Sequence, residues 1–326
     1  MKVIVTGGAG FLGSFLCEAL LDAGFSVIVI DNFSSGSLSN LARLLDSPHL
    51  EVVGSDLREP GSWVEAFKGS YAVFHFAANP EVRHSLRGPL DHYHQNVTAT
   101  ANVLEASRIS GVKIFVFASS STVYGDATIM PTPEDHPLKP ISVYGATKAM
   151  GEVLCETYAR LYNMKCLILR YANIVGPRLR HGAIYDFLVK LSRNPQTLEI
   201  LGDGSQRKSY LHISDSIEAT IAAFNRIEGI GEQTITYNVG NTDWITVREI
   251  ADIVVETLGL EKVEYIFKPG TPDGRGWPGD VKLMLLSIDK IVRDTGWKPK
   301  LSSREAVKLT AESLAKELRL TPRTPT

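Results

Sequence analysis

Three cysteines, Cys17, Cys155 and Cys166, are all the chain has. Their number is odd and their spacing irregular, which excludes a disulfide framework and a thiolate metal cage. Each sits among apolar neighbours, so the expectation is a buried thiol in a reducing compartment. Charge of one sign is also missing: 34 Lys and Arg face 36 Asp and Glu. A polyanion-coating surface is therefore excluded, and nucleic acid is not an expected partner. No apolar run reaches the ~20 residues that a bilayer requires, and no membrane partner is expected. The chain opens directly on a strand pattern, Lys2-Val3-Ile4-Val5, with no charged leader ahead of it. A cytoplasmic protein is the expectation. Internal repeats and low-complexity tracts are absent too, which leaves solenoids and disordered arrays aside.

What remains is an ordinary globular balance, 44% apolar and 21% charged over 326 residues. That length allows one large core and a smaller second part. The first half alternates β-rich runs with amphipathic ones. Strands are expected at Val3–Thr6, Ser26–Ile30, Leu50–Val53, Ala72–Phe76, Lys113–Ala118 and Cys166–Arg170, with helices at about 11–23, 89–109 and 143–162. This alternation predicts an α/β fold, a doubly wound parallel sheet covered on both faces. After Arg170 prolines and glycines break the pattern into loops. Helical periodicity returns near 215–226, 247–258 and 303–317. The division expected is a dinucleotide-binding domain over 1–172 and a smaller, mainly substrate-binding domain over 173–326, with some later segments returning to the first. Residues 321–326 read as a frayed tail.

The first strand runs into Thr6-Gly7-Gly8-Ala9-Gly10-Phe11-Leu12-Gly13, which opens the first helix. Gly7, Gly10 and Gly13 supply a tight turn, a close backbone approach to a pyrophosphate, and close helix–strand packing. The helix N-terminus at Phe11 and Leu12 offers free N–H groups to phosphate. Asp31 ends the second strand, where an acid binds ribose hydroxyls and repels a 2′-phosphate, favouring NAD over NADP. A solvated loop-capping aspartate is the alternative. Asn32 follows it. Asp56 and Leu57 follow the third strand, either near an adenine or in a surface turn. Ala77 and Ala78 close the fourth strand and leave room for a cofactor. Asn96 is either a cofactor neighbour or a polar plug in an apolar helix.

Tyr144 and Lys148 are four residues apart, so on a helix they share one face. A phenol with a pKa near ~10 is a poor base at neutral pH. A neighbouring ammonium, and a positive nicotinamide ring, would lower it. Upstream, the fifth strand ends in Ser119-Ser120-Ser121-Thr122-Val123-Tyr124-Gly125. Hydroxyls at the carboxyl end of such a strand lie where open α/β sheets bind ligands, and one of them could steady a reacting oxygen.

These segments, with Arg170-Tyr171-Ala172-Asn173, give a resemblance over essentially the whole chain to the extended short-chain dehydrogenase/reductases. Within them the chain is similar to the NAD-dependent nucleotide-sugar epimerases and dehydratases. The resemblance implies a Rossmann domain that binds NAD, Tyr171 included, and a smaller nucleotide-sugar domain. It implies Ser120 as the catalytic hydroxyl, with Ser121 as fallback, Tyr144 as acid/base, and Lys148 holding the nicotinamide ribose. Asn173 matches a position that contacts the nucleotide diphosphate.

Water-eliminating relatives carry Thr-Asp-Glu before Val-Tyr-Gly, and decarboxylating ones a Glu where Thr122 stands. Ser120, Ser121 and Thr122 lack any carboxylate, which resembles the 4-epimerases. The implied reaction is 4-epimerisation of a UDP-hexose through a 4-keto sugar, and it needs no metal. The alternatives are an epimerase or reductase of UDP-glucuronate or UDP-N-acetylglucosamine, and a non-catalytic regulator on the same fold. Gly202 to Tyr210 resembles a diphosphate-binding segment in which Arg207 or Lys208 supplies the cation. Gly274 to Asp280 resembles a second such loop, with Arg275 the expected cation and the register around Trp277 unsettled. Relatives pair through two long helices, matching about 89–109 and 143–162, so a homodimer is expected. His75, His92 and His94 read as structural.

Overall fold

The computed structural model describes residues 1–320; the tail expected at 321–326 lies outside the described residues. Six strands, β1 (Lys2–Thr6), β2 (Ser26–Asp31), β3 (Leu50–Gly54), β4 (Ala72–His75), β5 (Ile114–Ser120) and β6 (Lys165–Tyr171), join a seventh, Thr234–Val239, in one sheet. Every neighbouring pair is parallel. The order across the sheet is β3-β2-β1-β4-β5-β6 and then Thr234–Val239. Strand order therefore reverses between β1 and β4, and that reversal opens a crevice at the carboxyl ends.

The strands read as nearly unbroken apolar runs because both faces are covered. One face buries Val3, Val5, Val29 and Phe74 under the Phe11–Asp22 and Ile213–Ile227 helices. The other buries Ile4, Ile28, Val73 and Phe115 under the Ala99–Ile109 and Val143–Tyr162 helices. Successive residues of a strand point to opposite faces, so Ile4 and Val5 belong to different cores.

The expected long helix over 89–109 is interrupted. Pro89–Tyr93 and Ala99–Ile109 are α-helical, but His94–Thr98 is a π turn. Asn96 lies in that turn and is drawn away from the helix axis by Asn79 and Thr147. Widened turns of this kind accommodate such a pull at the cost of one regular hydrogen-bond step.

The second core is built from the Gly182–Arg193, Val247–Thr257 and Ser303–Glu317 helices over the paired strands Thr197–Leu201 and Glu264–Lys268. Two capping boxes, Thr246 with Glu249 and Ser302 with Glu305, start the last two helices. The chain does not divide at a single point near residue 172. The Ile213–Ile227 helix, the Thr234–Val239 strand and the Asp289–Thr295 helix all pack in the first core. The Gly182–Arg193 helix is absent from the expected elements, although Ile184, Phe187, Leu188 and Leu191 bury one face at helical spacing.

Candidate active site

A cavity of about 760 Å³ runs from the carboxyl ends of β1, β2 and β5 into the second core. At its first end Gly7, Gly10, Phe11, Leu12 and Gly13 form the floor. Gly7 has φ +69, and a Cβ on it would lie 2.7 Å from Ala77 N. A Cβ on Gly13 would lie 2.1 Å from Gly7 O, so the turn and the helix can meet only through glycine. Gly10 caps the helix without a side chain, and the first-turn amides stay free of a side-chain cap. That leaves donors and a positive dipole end facing the cavity, suited to a pyrophosphate.

Asp31 lies beside this floor. Ala9 N and Phe33 N donate to its two oxygens at 3.0 and 2.8 Å. Burial raises its pKa, and those two amides pull the other way. It is therefore held in one orientation with lone pairs to spare. Asn32, Asp56 and Leu57 also line the cavity. Asn32 donates to Asp56 at 3.2 Å, and Arg58 holds the Asp56 carboxyl down at about 2. Ala77, Ala78 and Tyr171 complete the lining there, the Tyr171 hydroxyl being spent on Thr220 at 2.7 Å. A dinucleotide fits this end: a side-chain-free phosphate floor, an oriented acid and a wall of small residues. Asn96 is not among the lining residues. It accepts from Asn79 N at 2.7 Å and donates to Thr147 at 3.0 Å, pinning the loop that follows β4.

At the centre stand Ser120, Tyr144 and Lys148. β5 extends two residues past the expected end, which carries Ser120 to the rim. The helix that bears the other two starts at Ser142, whose side chain accepts from Gly145 N at 3.1 Å. A Cβ on Gly145 would fall 2.6 Å from Thr122 O, and one on Gly151 would fall 2.4 Å from the Phe117 ring. These two glycines let the helix lie directly against β5, which brings Tyr144 to Ser120. The Ser120 hydroxyl also accepts from Thr122 N and Thr122 Oγ1, at 3.2 and 3.0 Å.

Lys148 Nζ donates to Ala118 O at 2.8 Å and lies 5.9 Å from the Tyr144 ring centroid. Burial pulls its pKa down to about 8. Burial pushes Tyr144 up to about 12, opposed by its hydrogen bond with Ser120. The sequence reading expects Lys148 to lower Tyr144. In the protein alone burial sets the direction, and Ser120 rather than Lys148 is the group that opposes it. His75 is buried between Thr6 and Thr100, and burial, helped by Lys148, drops it to about 3. It is a neutral structural residue.

Four residues beyond Lys148 on the same helix face, Glu152 meets Arg170 of β6 at 2.7 Å, with both side chains almost wholly buried. Ser119 donates to Glu152, and Arg170 donates to Tyr124 OH at 2.8 Å. Sequence reasoning missed this network. The signal available was the continuation of the Tyr144–Lys148 spacing to a third polar residue.

At the far end Asn173, Lys208, Tyr210 and Met284 line the cavity. Asn173 Nδ2 donates to Ser209 O at 3.2 Å, and Lys208 Nζ pairs with Asp280 at 2.6 Å. Arg207 is exposed, points the other way and lies 5.9 Å from the Trp244 ring centroid. Strand alternation separates the two, and Lys208 is the one on the cavity. Arg275 is also absent from the lining. It is held by Asp126 at 2.8 Å and Asp273 at 2.6 Å, while Trp277 takes the cavity wall. Residues 80–84 and 179–185 supply lining that the motifs do not reveal, Glu81 and His181 among them.

A family model described as the NAD dependent epimerase/dehydratase family matches residues 3–240. A crystal structure of a UDP-galactose 4-epimerase is 51% identical, with a TM-score of 0.87 over 98% of this chain and 100% of that one. The UDP-glucose 4-epimerase of Mycolicibacterium smegmatis is 32% identical over 321 residues, 96% of this chain and 98% of that protein. The UDP-glucuronic acid 4-epimerase of Bacillus cereus, crystallised with UDP-glucuronic acid and NAD, is 27% identical with a TM-score of 0.87, over 98% and 100% of the two chains. With the family model matching residues 3–240, which hold all of the parallel sheet but its first residue, the chain belongs to the NAD-dependent epimerase/dehydratase family.

Proposed function

We propose that the enzyme interconverts UDP-galactose and UDP-glucose by NAD-dependent 4-epimerisation. The observation that carries this reading is the trio Ser120, Tyr144 and Lys148 gathered in the cavity, with no carboxylate at positions 120–122. Tyr144 exchanges a proton with the sugar's 4-hydroxyl, and Ser120 hydrogen-bonds the same oxygen as it becomes a carbonyl. NAD⁺ held by the Gly7–Gly13 floor and Asp31 would supply the hydride acceptor and donor of the reaction and a positive charge that favours the Tyr144 phenolate. Lys148, with its pKa about 8, is an ammonium at neutral pH and adds to that field. Once the 4-keto sugar presents its other face, Tyr144 gives the proton back. Asn173 and Lys208 hold the diphosphate that anchors the sugar during this turn. The chain's contribution is orientation and charge rather than covalent chemistry.

The test is incubation of the purified protein with UDP-galactose and no added reductant, followed by chromatographic separation of the sugars. UDP-glucose is the expected product. No conversion, with NAD bound, would overturn the hexose assignment and move it to another nucleotide sugar such as UDP-glucuronic acid.

We also infer a homodimer in the cytoplasm. Leu90, Tyr93, Met150, Val153 and Leu161 are exposed on the Pro89–Tyr93 and Val143–Tyr162 helices. An apolar face of that kind favours a partner surface. Sedimentation at micromolar protein should give twice the chain mass, and a monomer would overturn the inference. Cys17, Cys155 and Cys166 are all free and buried, which suits a reducing compartment.

A further inference from the structure

The buried pair of Glu152 and Arg170 lies next to the active site for a reason that packing does not supply. Glu152 stands one helical turn beyond Lys148, a spacing that sets the two Cβ atoms roughly 5–6 Å apart. Glu152, Lys148 and Arg170 are all buried, so one carboxylate shares the interior with two cations. Arg170 grips that carboxylate with two nitrogens, Nε reaching Oε1 at 3.0 Å and the nearer terminal nitrogen reaching Oε2 at 2.7 Å. Ser119 donates to Oε1 as well. Ser119 and Arg170 are register partners across β5 and β6, and Ser120 follows Ser119. The carboxylate therefore fastens the helix, β5 and β6 together one residue short of the Ser120 hydroxyl.

The groups around Lys148 leave Glu152 as its counter-charge. On the same helix Tyr144 and Cys155 are neutral, burial holding the phenol and the thiol up. His75 of β4 is neutral too. β5 offers the Ala118 carbonyl and the Phe117 ring, whose centroid is 5.1 Å from Nζ. β6 brings Arg170, a second positive charge. Glu134 gives Arg170 only its backbone carbonyl, at 2.7 Å, and its carboxyl accepts from Asn238 N at 2.9 Å. Burial pulls Lys148 down, and Cys155 and Glu152 oppose it; with the thiol neutral, the carboxylate is the charge that does so.

We propose that Glu152 is a positioning residue of the active site, a carboxylate fixed by Arg170 and Ser119 that keeps the Lys148 ammonium charged beside Tyr144. Arg170 holds the carboxylate in place and, as a like charge, acts on Lys148 in the opposite sense. The inference rests on the reading of Lys148 as an active-site ammonium and not on which sugar is turned over.

NMR titration of the full-length, NAD-loaded protein, isotope-labelled at the lysine Cε, reads Lys148 directly, its resonance identified by its loss in Lys148→Met. Glu152→Gln removes the anion and leaves the second cation, so the Lys148 midpoint should fall by about 1 pH unit or more. A merely structural pair predicts the reverse, because loosened packing admits water and lets a buried lysine rise toward its ordinary value. A midpoint that stays or rises in Glu152→Gln would overturn the proposal. Should that variant fail to fold, the comparison is made without the second cation. Glu152→Gln combined with Arg170→Met should titrate about 1 pH unit below Arg170→Met alone, and equal midpoints would overturn the proposal. At the midpoint of the unaltered protein such a fall takes the charged fraction from about a half to about a tenth, so kcat with UDP-galactose should drop about 5-fold there with little change in KM. A shifted midpoint without any epimerisation by the unaltered protein upholds the role of Glu152 and sinks the proposed reaction, whereas epimerisation without a shift does the reverse.

Discussion

Replacing Lys148 by methionine should change how stability depends on pH, in a direction set by burial. Lys148 is 4% exposed and its ammonium has Ala118 O as its single hydrogen-bond partner, at 2.8 Å. Dehydration lowers its pKa from 10.5 to about 8 in the folded protein. The unfolded chain, with an ordinary lysine, therefore binds more protons than the folded one between about pH 8 and pH 10.5. Stability contributed by this group rises with pH through that window, is fully present above 10.5, and is lost as pH falls through 8. At about 1.36 kcal/mol per pH unit, the drop of about 2.5 pH units is worth about 3 kcal/mol. Urea unfolding of the unaltered protein and Lys148→Met, at steps from pH 7 to 10.5, isolates the effect, because all other titrating groups are common to both. The difference between the two proteins should move by about 3 kcal/mol in favour of the lysine as pH rises. A difference that stays flat across the window would refute a buried, strained ammonium beside Tyr144.

Tyr144→Phe should lower turnover about 100-fold or more while the amount of NAD bound stays unchanged; unchanged turnover would remove Tyr144 from the acid/base role. Glu152→Gln leaves the Arg170 guanidinium buried without a counter-charge, so urea unfolding should show a loss of about 3–5 kcal/mol. The double substitution Glu152→Leu with Arg170→Met should recover most of it, and a near-zero cost for the single change would mean the pair is not dehydrated. Gly13→Ala sets a Cβ 2.1 Å from Gly7 O, which forces the glycine turn off the helix. NAD released on denaturing the purified variant should fall well below one per chain, and a full complement would show that the turn tolerates the shift.

Much of the first core was legible because its signals are local. Val3–Thr6, Ser26–Ile30 and Leu50–Val53 are short apolar runs bounded by turn residues, and each lies within an observed strand. The Thr6 to Gly13 segment carries its chemistry in consecutive residues, and Tyr144 and Lys148 are joined by one helical turn. The second half was harder to read. Strands such as Arg207–Lys208, Ile245–Thr246 and Leu283–Met284 have two residues each, too few for a period, and exist only because they pair with one another. Thr234–Val239 looks like any isolated strand until β6 offers it a parallel edge.

Residue types and local spacing thus determined the glycine turn, the acid at the end of β2, the hydroxyls at the end of β5, and the Tyr144–Lys148 face. These depend on backbone geometry within one or two turns, which neighbouring residues dictate. Tertiary structure decided what distance in sequence conceals. It put Lys208 rather than Arg207 on the cavity, gave Arg275 to Asp126 and Asp273, and made Asn96 a brace for the loop after β4. It also set the proton affinities: spacing alone suggested that Lys148 would lower Tyr144, but burial raises one and lowers the other. Hydration is lost only when the whole chain closes around a group, so no local pattern can report it.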